Sequence, residues 1–160
     1  MDGFFKVVRT ILYSISVGAM LAMLGIIFLQ VITRYFFGHT YEWSEELARF
    51  LFVWVTFLGG ALIMGESGHL AVQLLPSKLQ GKVAGLVLDG FINLCSYVFI
   101  LLLIFQGSKM VAVMTFQESP GLGLPMSWVY LVMPASGVLM MLYLFKDTVR
   151  IAKAVAGRMR

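Results

Sequence analysis

Hydrophobic residues along this chain fall into four long stretches, and the charged residues lie almost entirely between them. The four uncharged stretches are 16 to 27 residues long. A helix needs roughly 20 mostly apolar residues to cross a hydrocarbon core of about 30 Å. The pattern therefore predicts an all-α integral membrane protein, with a single four-helix domain over residues 1–160. The expected transmembrane helices cover about residues 10–36, 45–65, 78–110 and 127–145.

The composition excludes a soluble globular domain. The chain is 60% hydrophobic and 12% charged, whereas soluble domains are about 45–50% apolar and about 25% charged. The first hydrophobic stretch is too long for the core of a signal peptide and has no small-residue cleavage site before Arg34, so we expect a retained helix. The single cysteine, Cys95, excludes a disulfide framework within the chain.

The basic residues predict an orientation. Nine of the 12 lie near the N-terminus, between the second and third helices, or near the C-terminus. The positive-inside rule then places both termini in the cytoplasm, with residues 37–44 and 115–126 facing outward. The basic C-terminal tail either meets anionic membrane lipids or serves only as a topology signal. A net charge of +4 with this distribution does not indicate nucleic acid as a partner.

The connector between the first two helices concentrates polar and aromatic side chains. Residues 34–54 hold five of the 20 charged residues and eight of the 22 aromatic ones. Ser44 can cap the second helix, and Glu45 and Glu46 fall in its first turn, where the helix dipole favours negative charge. Arg34 lies at the end of the first helix, where the dipole favours a cation.

We interpret this stretch as an ion-paired clasp that fixes the first two helices as a hairpin. Glu46 is the expected partner of Arg34, because Glu45 lies four residues before Arg49 and is suited to pair with it. The aromatic members would anchor the clasp at headgroup level. The alternative is a solvated loop with unspecific charge. The expected members of the clasp are Arg34, Tyr35, Trp43, Glu45, Glu46 and Arg49.

Small residues recur on one face of the first helix, which would let another helix approach closely. This face comprises Ser14, Gly18, Ala22 and Gly25. In the third helix, Asp89, Asn93 and Tyr97 form a polar seam at four-residue steps. Residues 68–75 could form a short interfacial segment after the second helix, and Pro134 is expected to kink the fourth helix.

The sequence contains no recognisable catalytic or cofactor-binding constellation. His39 and His69 are expected near opposite membrane faces, and Cys95 lies in the middle of a helix. Metalloprotease, hydrolase and phosphate-loop motifs are absent. No histidine lies within a predicted helix, where it could bind haem. We therefore expect neither an enzyme nor a cofactor.

A stand-alone four-helix secondary transporter is the alternative function. Such a protein needs an ionisable group deep in a helix, and Asp89 is the only candidate. The inverted repeats and broken helices of many coupled transporters are not visible. A structural hydrogen bond to a neighbouring helix also explains Asp89. A subunit that holds or positions a partner fits these features better.

The chain resembles the small membrane subunit of tripartite ATP-independent periplasmic (TRAP) transporters, the DctQ-like family. The residues that carry the resemblance are Arg34-Tyr35, Trp43-Ser44-Glu45-Glu46, Arg49, Trp54 and Gly68-His69. Weaker matches are Leu75-Pro76, the stretch from Pro125 to Trp128, and Pro134. One departure is that Ala71 and Gln73 stand where the family often has a basic and an acidic residue.

The resemblance implies partners and a role. Family members pair with a large membrane subunit that performs sodium-coupled transport, so sodium is expected to bind that subunit. A periplasmic solute-binding protein delivers the solute, usually a carboxylate such as a dicarboxylate or sialic acid. The small subunit would support the large one in the bacterial inner membrane without binding solute. Glu42 is the candidate contact for the binding protein.

Overall fold

The computed structural model describes residues 2–67 and 83–158, which are almost entirely helical. Four of its helical stretches are long and apolar enough to cross a membrane, as the sequence predicts. They cover Phe5–Phe37, Glu42–Gly65, Gly90–Phe116 and Ser127–Lys146. The helices are α1 (Asp2–Phe37), α2 (Glu42–Ser67), α3 (Val83–Val113), a 3-10 turn (Met114–Phe116), α4 (Ser127–Tyr130) and α5 (Val132–Arg158).

The helices extend further than the hydrophobic stretches that predict them. The start of α1 at Asp2 and the end of α5 at Arg158 both lie well beyond the uncharged residues. The second helix begins at Glu42, so Ser44 is not its cap. Instead, the buried Ser44 hydroxyl donates to the Tyr41 carbonyl at 2.7 Å. The predicted start of the third helix at residue 78 and the predicted interfacial segment lie outside the described residues.

The fourth membrane span is interrupted at Leu131, between α4 and α5. Pro134 lies three residues later, in the first turn of α5. Proline lacks the N–H that would bond to the carbonyl of Tyr130, and its ring clashes with a carbonyl at that position. Helical hydrogen bonding resumes directly after the proline, because the Ala135 N–H donates to the Leu131 carbonyl at 3.2 Å. The break therefore lies where the sequence predicts a kink.

The packing order across the bundle is α1, α2, α5, α3, because α2 and α3 pack against α5 rather than against each other. Alternating steps of four and three residues separate most of the buried or half-buried positions of α1, as in a coiled-coil seam. These positions are Leu12, Ser16, Ala19, Met23, Ile26, Gln30 and Thr33, with Ile32 beside them.

Glycines let α3 and α5 approach closely. A Cβ atom on Gly107 would lie 3.1 Å from the Pro134 backbone nitrogen, and one on Gly137 would lie 2.7 Å from Ile104 Cγ1. We call the end of the bundle with residues 38–41 and 114–126 the loop end. The opposite end, which carries Asp2 and Arg158, is the terminal end.

Candidate functional site

The Glu46 carboxylate joins α2 to the loop between α3 and α4. Its Oε2 atom accepts hydrogen bonds from the backbone N–H groups of Gly121 and Leu122, both at 2.9 Å. Glu46 itself is half-buried. A carboxylate that accepts two N–H groups makes charge-assisted bonds, which are shorter and stronger than bonds between neutral groups. The loop is therefore held against the first turn of α2.

The loop has its own hydrogen-bonded structure. The Met126 N–H donates to the Gln117 carbonyl at 2.8 Å, and the Ser119 N–H donates to the Leu124 carbonyl at 2.9 Å. Gly123 has φ +63°, a left-handed conformation that favours glycine. The loop thus closes on itself as a small hairpin before it meets α2.

Gly121 allows the loop to lie directly on the α2 backbone. A Cβ atom at this position would be 3.1 Å from the Trp43 backbone nitrogen and 3.1 Å from the Glu42 carbonyl carbon. It would also lie 2.8 Å from the Glu46 Oε2 atom that accepts the Gly121 N–H. Any larger residue would push the loop away from its carboxylate partner.

The predicted Arg34–Glu46 pair is not found. Glu46 is bound to the loop, and Arg34 is exposed without an ion pair to any carboxylate in the described part of the chain. Arg34 instead precedes Gly38, whose φ is +72° and whose N–H donates to the Arg34 carbonyl at 3.2 Å. A left-handed glycine therefore ends α1 here.

The second predicted pair is confirmed. Arg49 Nη2 lies 2.9 Å from Glu45 Oε1, one turn along α2. Both side chains are about two-thirds exposed, at 68% and 69%. An exposed pair of this kind contributes only about 0–1 kcal/mol. This ion pair therefore contributes little to the stability of the bundle.

Aromatic side chains cover the outside of the same connector. Tyr35 is 82% exposed, and Trp43 is 39% exposed. The His39 ring packs edge-on against the Tyr41 ring at 5.4 Å, and the Tyr41 and Trp43 rings lie 6.2 Å apart at a tilt of 32°. Rings exposed at the end of an apolar span match the aromatic belt of membrane proteins. Their predicted place is at headgroup level.

One residue of the predicted polar seam on α3 makes a hydrogen bond to another helix of the chain. The Tyr97 hydroxyl lies 3.0 Å from the Thr148 hydroxyl of α5, so it links the two helices. The Asn93 Oδ1 atom is buried without a hydrogen-bond partner among the described residues. The Asp89 side chain lies outside the described residues, so its predicted roles as a structural or coupling group stay predictions.

The small-residue face of α1 makes no close contact inside the chain. All four of its members are exposed. A Cβ atom on Gly18 or Gly25 would find no atom of another element within 4 Å. The face therefore lies to one side of the seam that packs on α2, and it is open to lipid or to another protein.

The sequence does not predict the partners of Tyr97 and Glu46. Thr148 lies 51 residues from its partner Tyr97, and Gly121 lies 75 residues from Glu46. The Gly-rich loop and its flanking prolines predict a turn, but no local pattern indicates which carboxylate it meets.

Comparison with known proteins identifies the family. The model of the DctQ component of tripartite ATP-independent periplasmic transporters matches residues 23–154. These residues include the Glu46 contact, its loop and nearly all of α5.

Three relatives show the breadth of the family. The chain is 30% identical to the sialic acid TRAP transporter small permease protein SiaQ of Vibrio cholerae, over 95% of this chain and 87% of the relative. It is 29% identical to the sialic acid TRAP transporter permease protein SiaT of Haemophilus influenzae, over 76% of this chain and 20% of the relative. It is also 29% identical to the isethionate TRAP transporter permease protein DctMQ of Oleidesulfovibrio alaskensis, over 82% of this chain and 22% of the relative. The chain belongs to the DctQ family and is a small, multi-pass membrane subunit of a TRAP transporter.

Proposed function

We propose that this subunit is a membrane scaffold that holds a large transport subunit in place and does not bind the solute itself. The transporter would be sodium-coupled and supplied by a periplasmic binding protein, in the bacterial inner membrane. The observation that carries the proposal is the exposed side of α1. The helix packs on α2, and Phe5 near its start also contacts Tyr143 of α5, but the side that holds Gly18 and Gly25 is uncovered.

The uncovered side of α1 is suited to another helix. Leu21 is 64% exposed and Phe28 is 67% exposed, and the small-residue face lies on this helix. Apolar area alone does not drive helices together in lipid, because lipid tails are equally apolar. Small residues add close backbone approach and van der Waals packing, which do favour association.

The two longer relatives support a large permease subunit as the partner. The match to this chain makes up only 20% of SiaT and 22% of DctMQ. In such chains the counterpart of this subunit is covalently joined to a much larger permease region. We infer that the present chain meets an equivalent region non-covalently, and that sodium binds there.

Organic acid anions are the proposed solutes. The names of the relatives include sialic acid, a carboxylate, and isethionate, a sulfonate. The class is therefore wider than the carboxylates that the sequence resemblance implies. Discrimination between these anions would come from the binding protein and the large subunit.

The loop end is the proposed contact for the binding protein. Glu42 is exposed in the first turn of α2, and the Glu46-bound loop lies against the same turn. With both termini in the cytoplasm, this surface faces the periplasm. A rigid surface at this position suits a partner that must dock and leave repeatedly.

Co-purification tests the α1 interface. We expect Ala22→Leu to lower recovery of the large subunit with the tagged small subunit, because the larger side chain blocks close helix approach. Ala112→Leu is the matched control, since Ala112 is an exposed residue of α3. Equal recovery of the large subunit with both variants would contradict the proposed interface.

Reconstitution tests the scaffold role. The purified small subunit should show no sodium-dependent uptake of sialic acid or isethionate into liposomes. Uptake of the system's own anion should require the large subunit and the binding protein as well. Sodium-driven uptake by the small subunit alone would overturn the proposal and favour transport through Asp89.

A further inference from the structure

An apolar groove runs between α2 and α3 in the half of the bundle nearer the terminal end. Its volume is about 720 Å³. Gly60, Ile63 and Met64 form the α2 wall, and Met140 of α5 contributes to the lining between the walls. The α3 wall comprises Phe91, Ile92, Cys95, Ser96, Phe99 and Ile100. Apart from one hydroxyl and one thiol, every side chain in the groove is apolar.

The groove exists because α2 and α3 both pack on α5 and not on each other. Gly60 brings α2 close to α5, since a Cβ atom there would lie 3.1 Å from the Met140 methyl group. Nearer the loop end, Gly107 and Gly137 draw α3 and α5 together. Ile100, which is only 1% exposed, is the lining residue of α3 nearest this tighter packing.

The length of the groove along α3 matches the hydrocarbon thickness of one leaflet. All ten lining residues lie within the membrane spans. From Phe91 to Ile100 is about 14 Å along a helix that rises ~1.5 Å per residue. This is close to half of a hydrocarbon core of about 30 Å. On the α2 wall, Met64 lies next to Gly65, where the membrane span of α2 ends, so the groove starts near one membrane boundary and extends toward the bilayer midplane.

We propose that this groove binds one phospholipid acyl chain from the leaflet on the terminal side, as a lipid retained between α2 and α3. An acyl chain reaches from the boundary to the midplane, as the groove does. A transmembrane helix of a partner crosses both leaflets, whereas the lining of this groove on α3 ends at Ile100, about halfway across. The apolar lining supplies the packing that a hydrocarbon chain needs, and it offers no charge to a polar ligand.

The exposed rim is consistent with entry from the bilayer. Phe91 and Phe99 are 63% and 61% exposed, and Ile63 on the opposite wall is 61% exposed. These side chains can enclose an acyl chain from both sides. The bound chain would keep α2 and α3 at a fixed spacing that direct helix contacts do not set.

Native mass spectrometry of the detergent-purified complex with the large subunit tests the proposal. The probe is phosphatidylethanolamine with a palmitoyl chain, added during purification. We expect Ser96→Phe to fill the groove and lower the retained lipid about tenfold, the change produced by roughly 1.4 kcal/mol. Ser108→Phe is the matched control, because Ser108 is exposed on α3 outside the groove. Equal retention of lipid in the two variants would overturn the proposal.

Photo-crosslinking of the unmodified complex provides a test that does not depend on a variant. The probe is phosphatidylethanolamine with a diazirine in its palmitoyl chain. The complex is washed with detergent before irradiation, so that only retained lipid can react. Adducts should then form on Ile92 and Ser96 and not on Leu102, which is exposed on α3 outside the groove. Absence of adducts from all three residues would show that no lipid is retained and would overturn the proposal. Crosslinks from a photoreactive residue at Ser96 to the large subunit would also overturn it, because a protein segment would then occupy the groove.

Discussion

Glu46 is the residue through which the two halves of the chain meet at the loop end. One carboxylate oxygen binds two adjacent N–H groups of a loop that is 75 residues away in sequence. The sequence predicts Glu46 in the first turn of α2, but the helix begins at Glu42, so Glu46 lies beyond the turn where the helix dipole favours negative charge. The carboxylate therefore stabilises the conformation of the loop and its contact with α2.

Removing the Glu46 carboxylate should loosen the loop. We expect Glu46→Ala to cost about 1.5–3 kcal/mol, the usual contribution of a hydrogen bond to a charged group. Hydrogen exchange at the Gly121 and Leu122 amides should become faster. Glu46→Gln should have a smaller effect, because it keeps an acceptor oxygen. Glu45→Ala serves as the control and should leave these amides unchanged, since Glu45 pairs with Arg49. Unchanged exchange in Glu46→Ala would contradict the proposed role of the carboxylate.

Arg34 should be energetically independent of Glu46. In a double-mutant cycle of Arg34→Glu and Glu46→Arg, measured by thermal unfolding, the coupling free energy should be within about 0.5 kcal/mol of zero. The double variant should be no more stable than Glu46→Arg alone, because neither restores the loop contact. A coupling free energy well above this value would show that Arg34 and Glu46 interact, and it would support the ion-paired clasp.

Local rules predicted only part of this site. The Glu45–Arg49 pair follows from spacing along one helix, and the structure confirms it. The sequence predicts a structural role for Glu46 but pairs it with Arg34, because both flank a short connector. Its actual partners are backbone groups, which carry no side-chain signature. Their proximity depends on how α5 packs against α2, and this is not encoded in any short stretch.

At the scale of whole helices, the membrane spans could be predicted but their packing partners could not. Each of the four spans is a continuous run of mostly apolar residues in the sequence. A repeat of small residues also marked a packing face on α1, but the repeat does not tell whether the partner belongs to the same chain. The close α3–α5 contact went unnoticed because it depends on single glycines, Gly107 and Gly137, on two helices.

Gly107 should be far less tolerant of substitution than Gly18. A Cβ atom on Gly107 would lie 3.0–3.1 Å from Pro134 and Met133, including a backbone atom that cannot move aside easily. We expect Gly107→Ala to destabilise the subunit by about 1–3 kcal/mol, as overpacking does. Gly18→Ala should be neutral or slightly stabilising, because its surroundings are open and alanine favours helix. Thermal unfolding in detergent compares them, and a larger loss for Gly18→Ala would contradict the packing described.

For the molecule as a whole, orientation is the property on which the proposed docking surface depends. Single cysteines at positions 40 and 155, in a Cys95→Ser background, can report it in intact cells. We expect a membrane-impermeant thiol reagent to label Thr40→Cys and not Val155→Cys, because the basic residues favour cytoplasmic termini. Permeabilised cells provide the control for reactivity at position 155. The reverse labelling pattern would put the loop end in the cytoplasm and exclude it as a contact for the binding protein.

The long separation between Glu46 and its loop has a consequence for synthesis. The hairpin of α1 and α2 packs through neighbouring elements, so it can form as soon as both have left the ribosome. Gly121 is made 75 residues after Glu46, which takes about 4–15 s at 5–20 residues per second. During that interval the first hairpin must persist in the membrane on its own contacts. The contact between Glu46 and the loop can therefore form only after most of the bundle has been made.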